Sequence, residues 1–253
     1  MYSFHASRLT FFLFEFVIYI FTQILFFKFL SIISFLYSGY EGYGATKHLR
    51  HGQQPEGVTQ IKGEPSFEPF WAAGFSFSRG HFVINIPYDQ HLPWVFQGEE
   101  ISIGLRGFTY GYDYYAPQHS VSFHYYAARD KTGKRNKTPL FWEHSETFKK
   151  DGNVVEKKGM MRLNGILNMN PPNIKDDQWL HTDEKQYGLG EVRTTQKFFD
   201  TFGIDTVHQT TEDHLCKFVG KKMQRMWKPH IRSDTMGVNY DQITFRFTDP
   251  DKK

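Results

Sequence analysis

The sequence predicts an α/β fold, and three observations carry that expectation. Trp71 to Phe77 alternates small or polar with aromatic residues, as a half-buried strand does. Ile101, Leu105 and Phe108 fall on one face of a helix that opens near Gly98 and is ended by Gly111. Tyr112 to Ala116 and Val121 to Ala127 then read as two strands joined by Pro117-Gln118-His119-Ser120. The expected frame is a sheet around Trp71 to Phe77 and Val121 to Ala127 with the Glu99 to Phe108 helix packed on it. At 253 residues, 40% apolar and 23% charged, the chain has room for one or two domains with a buried core.

Taken in order, residues 1–40 come first. Leu9 to Tyr40 is an almost continuous apolar run broken by Glu15, Gln23 and Lys28, and aromatic residues are concentrated in it. It is long enough for a single membrane anchor of roughly 20 residues if one charge is tolerated near an end. A cleaved signal peptide fits less well, because the run is too long and Ser38-Gly39-Tyr40 is a weak cleavage signature. A third reading is a stretch never selected as protein, preceding a wrongly assigned start. A real anchor implies a Golgi-type membrane protein; otherwise the expectation is a cytoplasmic one.

Residues 41–66, rich in Gly, Pro, Gln and charge, read as a linker, and the folded domain is expected over 67–205. His81 to Ile86 is a further apolar stretch stopped by Pro87, followed by a polar loop held between Pro87 and Pro93. Helices are expected near Gly159 to Asn168 and Thr194 to Phe202. Residues 206–253, with a Lys-rich helix near Thr211 to Trp227, are expected to be a peripheral tail. A net charge of +3, with Lys and Arg scattered along the chain, gives no sign of a nucleic-acid partner. Cys216 is the only cysteine, which excludes an intrachain disulfide and a Cys-rich metal site and is compatible with a reducing compartment.

Three features can carry chemistry, each with a plain alternative. Glu99 and Glu100 open a helix, where carboxylates favour the helix dipole; adjacent helical residues point about 100° apart, so at most one of them aims into a cleft. His124 lies mid-strand among aromatic residues, the position of a packed histidine or of a metal ligand. Ala72-Ala73-Gly74 leaves backbone open to close approach, by a neighbour or by a ligand.

Their order is more specific than any one of them. Ala73-Gly74-Phe75-Ser76-Phe77, Pro87-Tyr88-Asp89, Leu92-Pro93, Phe96-Gln97-Gly98-Glu99-Glu100-Ile101, Arg106, Thr109-Tyr110-Gly111-Tyr112-Asp113, Pro117, His124-Tyr125 and Phe141-Trp142-Glu143 follow in turn, with Gly188-Leu189-Gly190, Arg193 and Phe199 to Asp205 later. This series resembles the hydroxyproline-directed N-acetylglucosaminyltransferase family and, more distantly, the polypeptide N-acetylgalactosaminyltransferases, over about Phe67 to Asp205.

The resemblance implies the acceptor-side, C-terminal portion of a GT-A type domain that moves N-acetylglucosamine from UDP-N-acetylglucosamine to a polypeptide hydroxyl with the α configuration kept. It places Ala73, Gly74 and Phe75 beside the donor sugar, Glu99 or Glu100 at the acceptor hydroxyl or the sugar, and Asp89 at the same mouth. It makes His124 a ligand of a divalent cation, Mn2+ or Mg2+, on the donor diphosphate, where a cation offsets charge developing on the leaving group. The chain departs from the family in one respect. Its only Asp-x-Asp spacing, Asp249-Pro250-Asp251, lies in a polar tail with no strand before it, so the nucleotide-binding half with its hard oxygen ligands is not recognisable. Two further readings therefore stand beside the enzyme: a non-catalytic, degenerate transferase that binds a protein partner, and a membrane-tethered interaction protein.

Overall fold

The computed structural model describes residues 38–41, 47–51, 66–67, 71, 73, 76–116, 146–169, 174–212, 232 and 238–240. Their elements, in chain order, are β1 (Ser38–Glu41), β2 (His48–His51), β3 (Ser66–Phe67), α1 (Gly80–Asn85), α2 (Glu99–Thr109), β4 (Tyr115–Ala116), α3 (Glu146–Ile166), a 3-10 turn (Asp176–Gln178), α4 (Glu184–Tyr187), α5 (Thr195–Phe202), β5 (Ile204–Asp205) and β6 (Thr210–Thr211). Helix and strand are mixed, as expected. The described strands, however, form three antiparallel two-stranded ladders, β1 with β2, β3 with β4 and β5 with β6, instead of one sheet under a helix.

The centre of the molecule is α2. Every residue from Ile101 to Thr109 is buried, so this helix is enclosed on all sides, beyond the single apolar face its spacing suggests. Ile101, Leu105 and Phe108 join Leu163, Ile166 and Leu167 from α3 and its C-terminal end, Phe198, Phe199 and Phe202 of α5, and Ile204 in one core. A smaller cluster of Trp71, Phe82, Ile86 and Ile103 lies on another side of α2, with Tyr110, Tyr112 and Tyr114 packed against it. Glycines admit these neighbours. A Cβ on Gly107 would stand 1.8 Å from the Tyr114 hydroxyl, and one on Gly104 would stand 3.3 Å from the Trp71 amide nitrogen.

The C-terminal end of α2 is fastened by backbone. The Thr109 carbonyl accepts from Val192 N–H at 2.9 Å and Arg193 N–H at 3.1 Å, while its hydroxyl accepts from Gly190 N–H at 2.8 Å. Gly190 has to be glycine for this approach, since a Cβ there would meet the Thr109 oxygen and the Tyr110 nitrogen at 2.7 Å. Gly111, at φ 95°, ends the helix as its sequence position implies. Arg193 then stacks its guanidinium on Phe108 and Tyr240, at 4.8 Å and 4.5 Å from the ring centroids, pairs with Asp113 at 2.8 Å, and donates to the carbonyls of Gly111 and Tyr112.

Several expectations are corrected. None of the described residues of the 71–77 stretch, Trp71, Ala73, Ser76 and Phe77, lies in a strand; Trp71 is drawn under α2, Ala73 is in a turn, and Phe77 is 93% exposed. The apolar stretch from His81 is helical as far as Asn85 in α1, and the strand expected over Tyr112 to Ala116 is reduced to Tyr115–Ala116, because Tyr112 and Tyr114 turn their rings onto Phe82. The helix expected from Gly159 begins at Glu146. Leu49, in the supposed linker, is fully buried in the main core, and so, in the supposed peripheral tail, are Val238 and Tyr240 at 6% and 5% exposure. Thr211, placed at the start of a Lys-rich helix, is in β6; the rest of that helix from residue 213 lies outside the described residues, as do Val121 to Ala127. Among the described residues no helix is long and apolar enough to cross a membrane; the run up to residue 37 lies outside them.

Candidate functional site

The site grows from the first turn of α2. Gly98 caps the helix at φ 103°, a conformation that suits glycine, and packs against Leu163 so closely that a Cβ would lie 2.9 Å from its methyl carbon. No side chain caps the helix, so Glu99 and Glu100 are the groups that answer its positive end.

The two carboxylates take different work. Glu100 Oε1 accepts a hydrogen bond from the Ala73 backbone N–H at 2.9 Å and fixes the small-residue segment to the helix. Glu99 makes no hydrogen bond to a described residue. Burial, and secondly the charge of Glu100, raise its pKa above the ordinary value. The Tyr88 hydroxyl stands in the same field: burial first, then Glu99 and Glu100, raise its pKa too. Tyr88 sets its ring edge-on to Trp71, with centroids 6.2 Å apart and planes at 73°. Trp71, Ala73, Tyr88, Glu99 and Glu100 thus meet at one end of α2. The exposed Tyr88 ring beside the two carboxylates can pack a sugar ring and hydrogen-bond its hydroxyls.

Asp89, the third expected carboxylate, is committed elsewhere. Its Oδ2 accepts from Arg162 Nε at 2.7 Å with both side chains only 1% exposed, and its Oδ1 accepts from His91 N–H at 2.8 Å. Arg162 also donates to the Leu180 carbonyl. Arg106 is the companion buried cation, donating to Pro87 O at 2.6 Å and Gly188 O at 3.4 Å. The Pro87 to His91 loop is therefore held from α2 and from α3, which sets Tyr88 in position.

Of the residues expected for the donor sugar, Ala73 is at the site and exposed, while Gly74 and Phe75 lie outside the described residues. His124 also lies outside them. Among the described residues no group of three or more His, Cys, Asp or Glu could hold a metal ion. Trp71 and Tyr88 were given no role by sequence reasoning. Arg106 could have been found, as the one charged residue inside the buried run from Ile101 to Thr109. Arg162 carried no such signal.

Two comparisons with known proteins find nothing and one finds a family. The model of the family described as Glycosyltransferase (GlcNAc) matches residues 48–208, more than half of the chain. No curated protein and no solved structure matches it.

Proposed function

Because the chain belongs to the glycosyltransferase (GlcNAc) family, we propose that it moves N-acetylglucosamine from UDP-N-acetylglucosamine to a hydroxyproline, serine or threonine hydroxyl of a polypeptide, as the acceptor-side portion of a GT-A type domain. The observation that supports this best is the division of labour at Glu99 and Glu100. One carboxylate ties down the segment expected beside the sugar, and the other holds a raised pKa next to Tyr88. In the transfer the bond from C1 to the diphosphate oxygen breaks, its electron pair leaves with UDP, the acceptor oxygen bonds to C1, and the acceptor proton passes to the departing diphosphate oxygen. Glu99 accepts a hydrogen bond from that hydroxyl and orients it. Tyr88, 60% exposed, packs the sugar from the position that the buried Trp71 ring gives it.

The test is transfer of radiolabel from UDP-N-acetylglucosamine to peptides carrying hydroxyproline, serine or threonine. Labelling that falls at least 100-fold in Glu99→Gln with donor binding kept is the expected result. One observation favours a second reading, a non-catalytic module that binds a polypeptide: Asp89 is locked in a buried ion pair, away from chemistry. Peptide binding without any labelling, in the parent chain, would select that reading.

A further inference from the structure

On another side of the molecule a cleft of about 350 Å³ opens between the end of α3 and the segment from Ile174 to Leu189. Ile166, Ile174 and Leu189 give it an apolar lining, and Asp176 and Glu184 line it too. Trp179 also lines it, but that indole is already occupied. It lies on the bare backbone of Gly165, where a Cβ would stand 2.3 Å from the ring, and it carries the His181 imidazole at 3.8 Å between centroids. Little ring face is left for stacking a sugar, and the cleft's remaining chemistry is an aliphatic channel with acidic groups at its mouth.

We propose that this cleft receives a lysine side chain of the polypeptide acceptor, its methylenes along Ile166, Ile174 and Leu189 and its ammonium between the carboxylates of Asp176 and Glu184. The acceptor's being a polypeptide rests on the function proposed above. Long cationic side chains bury their stems and keep the charged head at a polar rim, which matches this arrangement. His181 does not exhaust the two carboxylates. Its Nε2 bonds the Asp176 backbone carbonyl at 2.7 Å and reaches the Asp176 carboxylate only at 3.7 Å, while its Nδ1 meets a single Glu184 oxygen at 3.2 Å. The Asp176 side chain is 91% exposed and that of Glu184 46%, so both can still meet a ligand. Even with His181 protonated, the three groups carry a net negative charge.

The experiment is an NMR titration of the full chain with the tripeptide amide acetyl-Gly-Lys-Gly-NH2, followed at the Trp179 indole N–H, which Trp179→Phe identifies. The uncharged analogue with norleucine is titrated in parallel. The expected result is saturable binding of the lysine peptide in the millimolar range, at least 5-fold tighter than norleucine, and at least 5-fold weakened in Asp176→Asn/Glu184→Gln. Equal response to lysine and norleucine, or unchanged binding in the double variant, would overturn the proposal. Peptide binding needs no sugar transfer, so a chain that binds lysine and transfers nothing refutes the transferase reading alone, and a chain that transfers sugar but fails this titration refutes the lysine site alone.

Discussion

Asp89 and Arg162 stand 73 residues apart in sequence and meet at 2.7 Å with both side chains 1% exposed, joining the loop before α2 to the C-terminal part of α3. A buried pair of this kind is costly to form and more costly to break, because removing one partner strands the other's charge. Asp89→Asn is therefore expected to lower stability by about 3–5 kcal/mol in urea unfolding. Asp89→Leu combined with Arg162→Met should lose clearly less than the two single changes added together. An additive outcome would mean that the pair is not coupled.

Glu99 supplies a pH prediction. Its pKa is higher in the folded chain than the ordinary value of 4.5, so the folded state holds the proton more tightly than the unfolded one. The stability this contributes is fully present below the unfolded pKa and is lost as pH rises through the folded pKa. Glu99→Gln escapes that loss. Its Tm should exceed the parent's by about 1–2 °C at neutral pH and match it in acid, read by calorimetry across the pH range. A variant less stable at neutral pH would show that the Glu99 carboxylate is satisfied after all.

Gly107 and Tyr114 form a lock that a double-mutant cycle can open. Tyr114 donates to the carbonyls of Ile103 and Gly104, both at 3.2 Å, from a position a Cβ on Gly107 would invade. Gly107→Ala alone should cost about 2–3 kcal/mol through overpacking. Added to Tyr114→Phe, which removes the hydroxyl, the same change should cost at least about 1 kcal/mol less. Equal costs in both backgrounds would place the strain elsewhere.

Arg193→Lys should destabilise by about 2 kcal/mol although the charge is kept. Lysine can still reach Asp113, but it has no plane to lay between Phe108 and Tyr240 and cannot serve the Gly111 and Tyr112 carbonyls from one fork. Urea unfolding with an unchanged denaturant slope checks this; a variant within about 0.5 kcal/mol of the parent would refute it.

What was legible in the sequence is what local periodicity and chain stops encode. The start of α2 after Gly98, its end before Gly111 and the span of α5 follow from apolar spacing and turn residues, and the structure has them there. The stretch from Trp71 to Phe77 was misread because alternation reports burial on one side and cannot say what covers it. Here the cover is a helix, with Glu100 taking the Ala73 amide that a strand neighbour would have taken. Leu49, Val238 and Tyr240 were missed because single apolar residues in polar surroundings have no period, and only the folded chain shows that they share a core. The site was half legible. Gly98-Glu99-Glu100 marks the start of the helix on which the candidate site is built, but the partner of Asp89 is set by a contact 73 residues away that no spacing reveals.

Leu49 and Tyr240 sit in the same core, near opposite ends of the 253-residue chain. On the ribosome, where the N-terminal part emerges first, Leu49 must wait for nearly two hundred further residues before its full complement of neighbours exists. During that interval Phe108, Phe198 and Phe202 appear in turn with no Tyr240 ring to close over them. Long-range closure of this kind slows folding and leaves apolar surface open to aggregation. Translation therefore leaves this core incomplete until Tyr240 has cleared the exit tunnel.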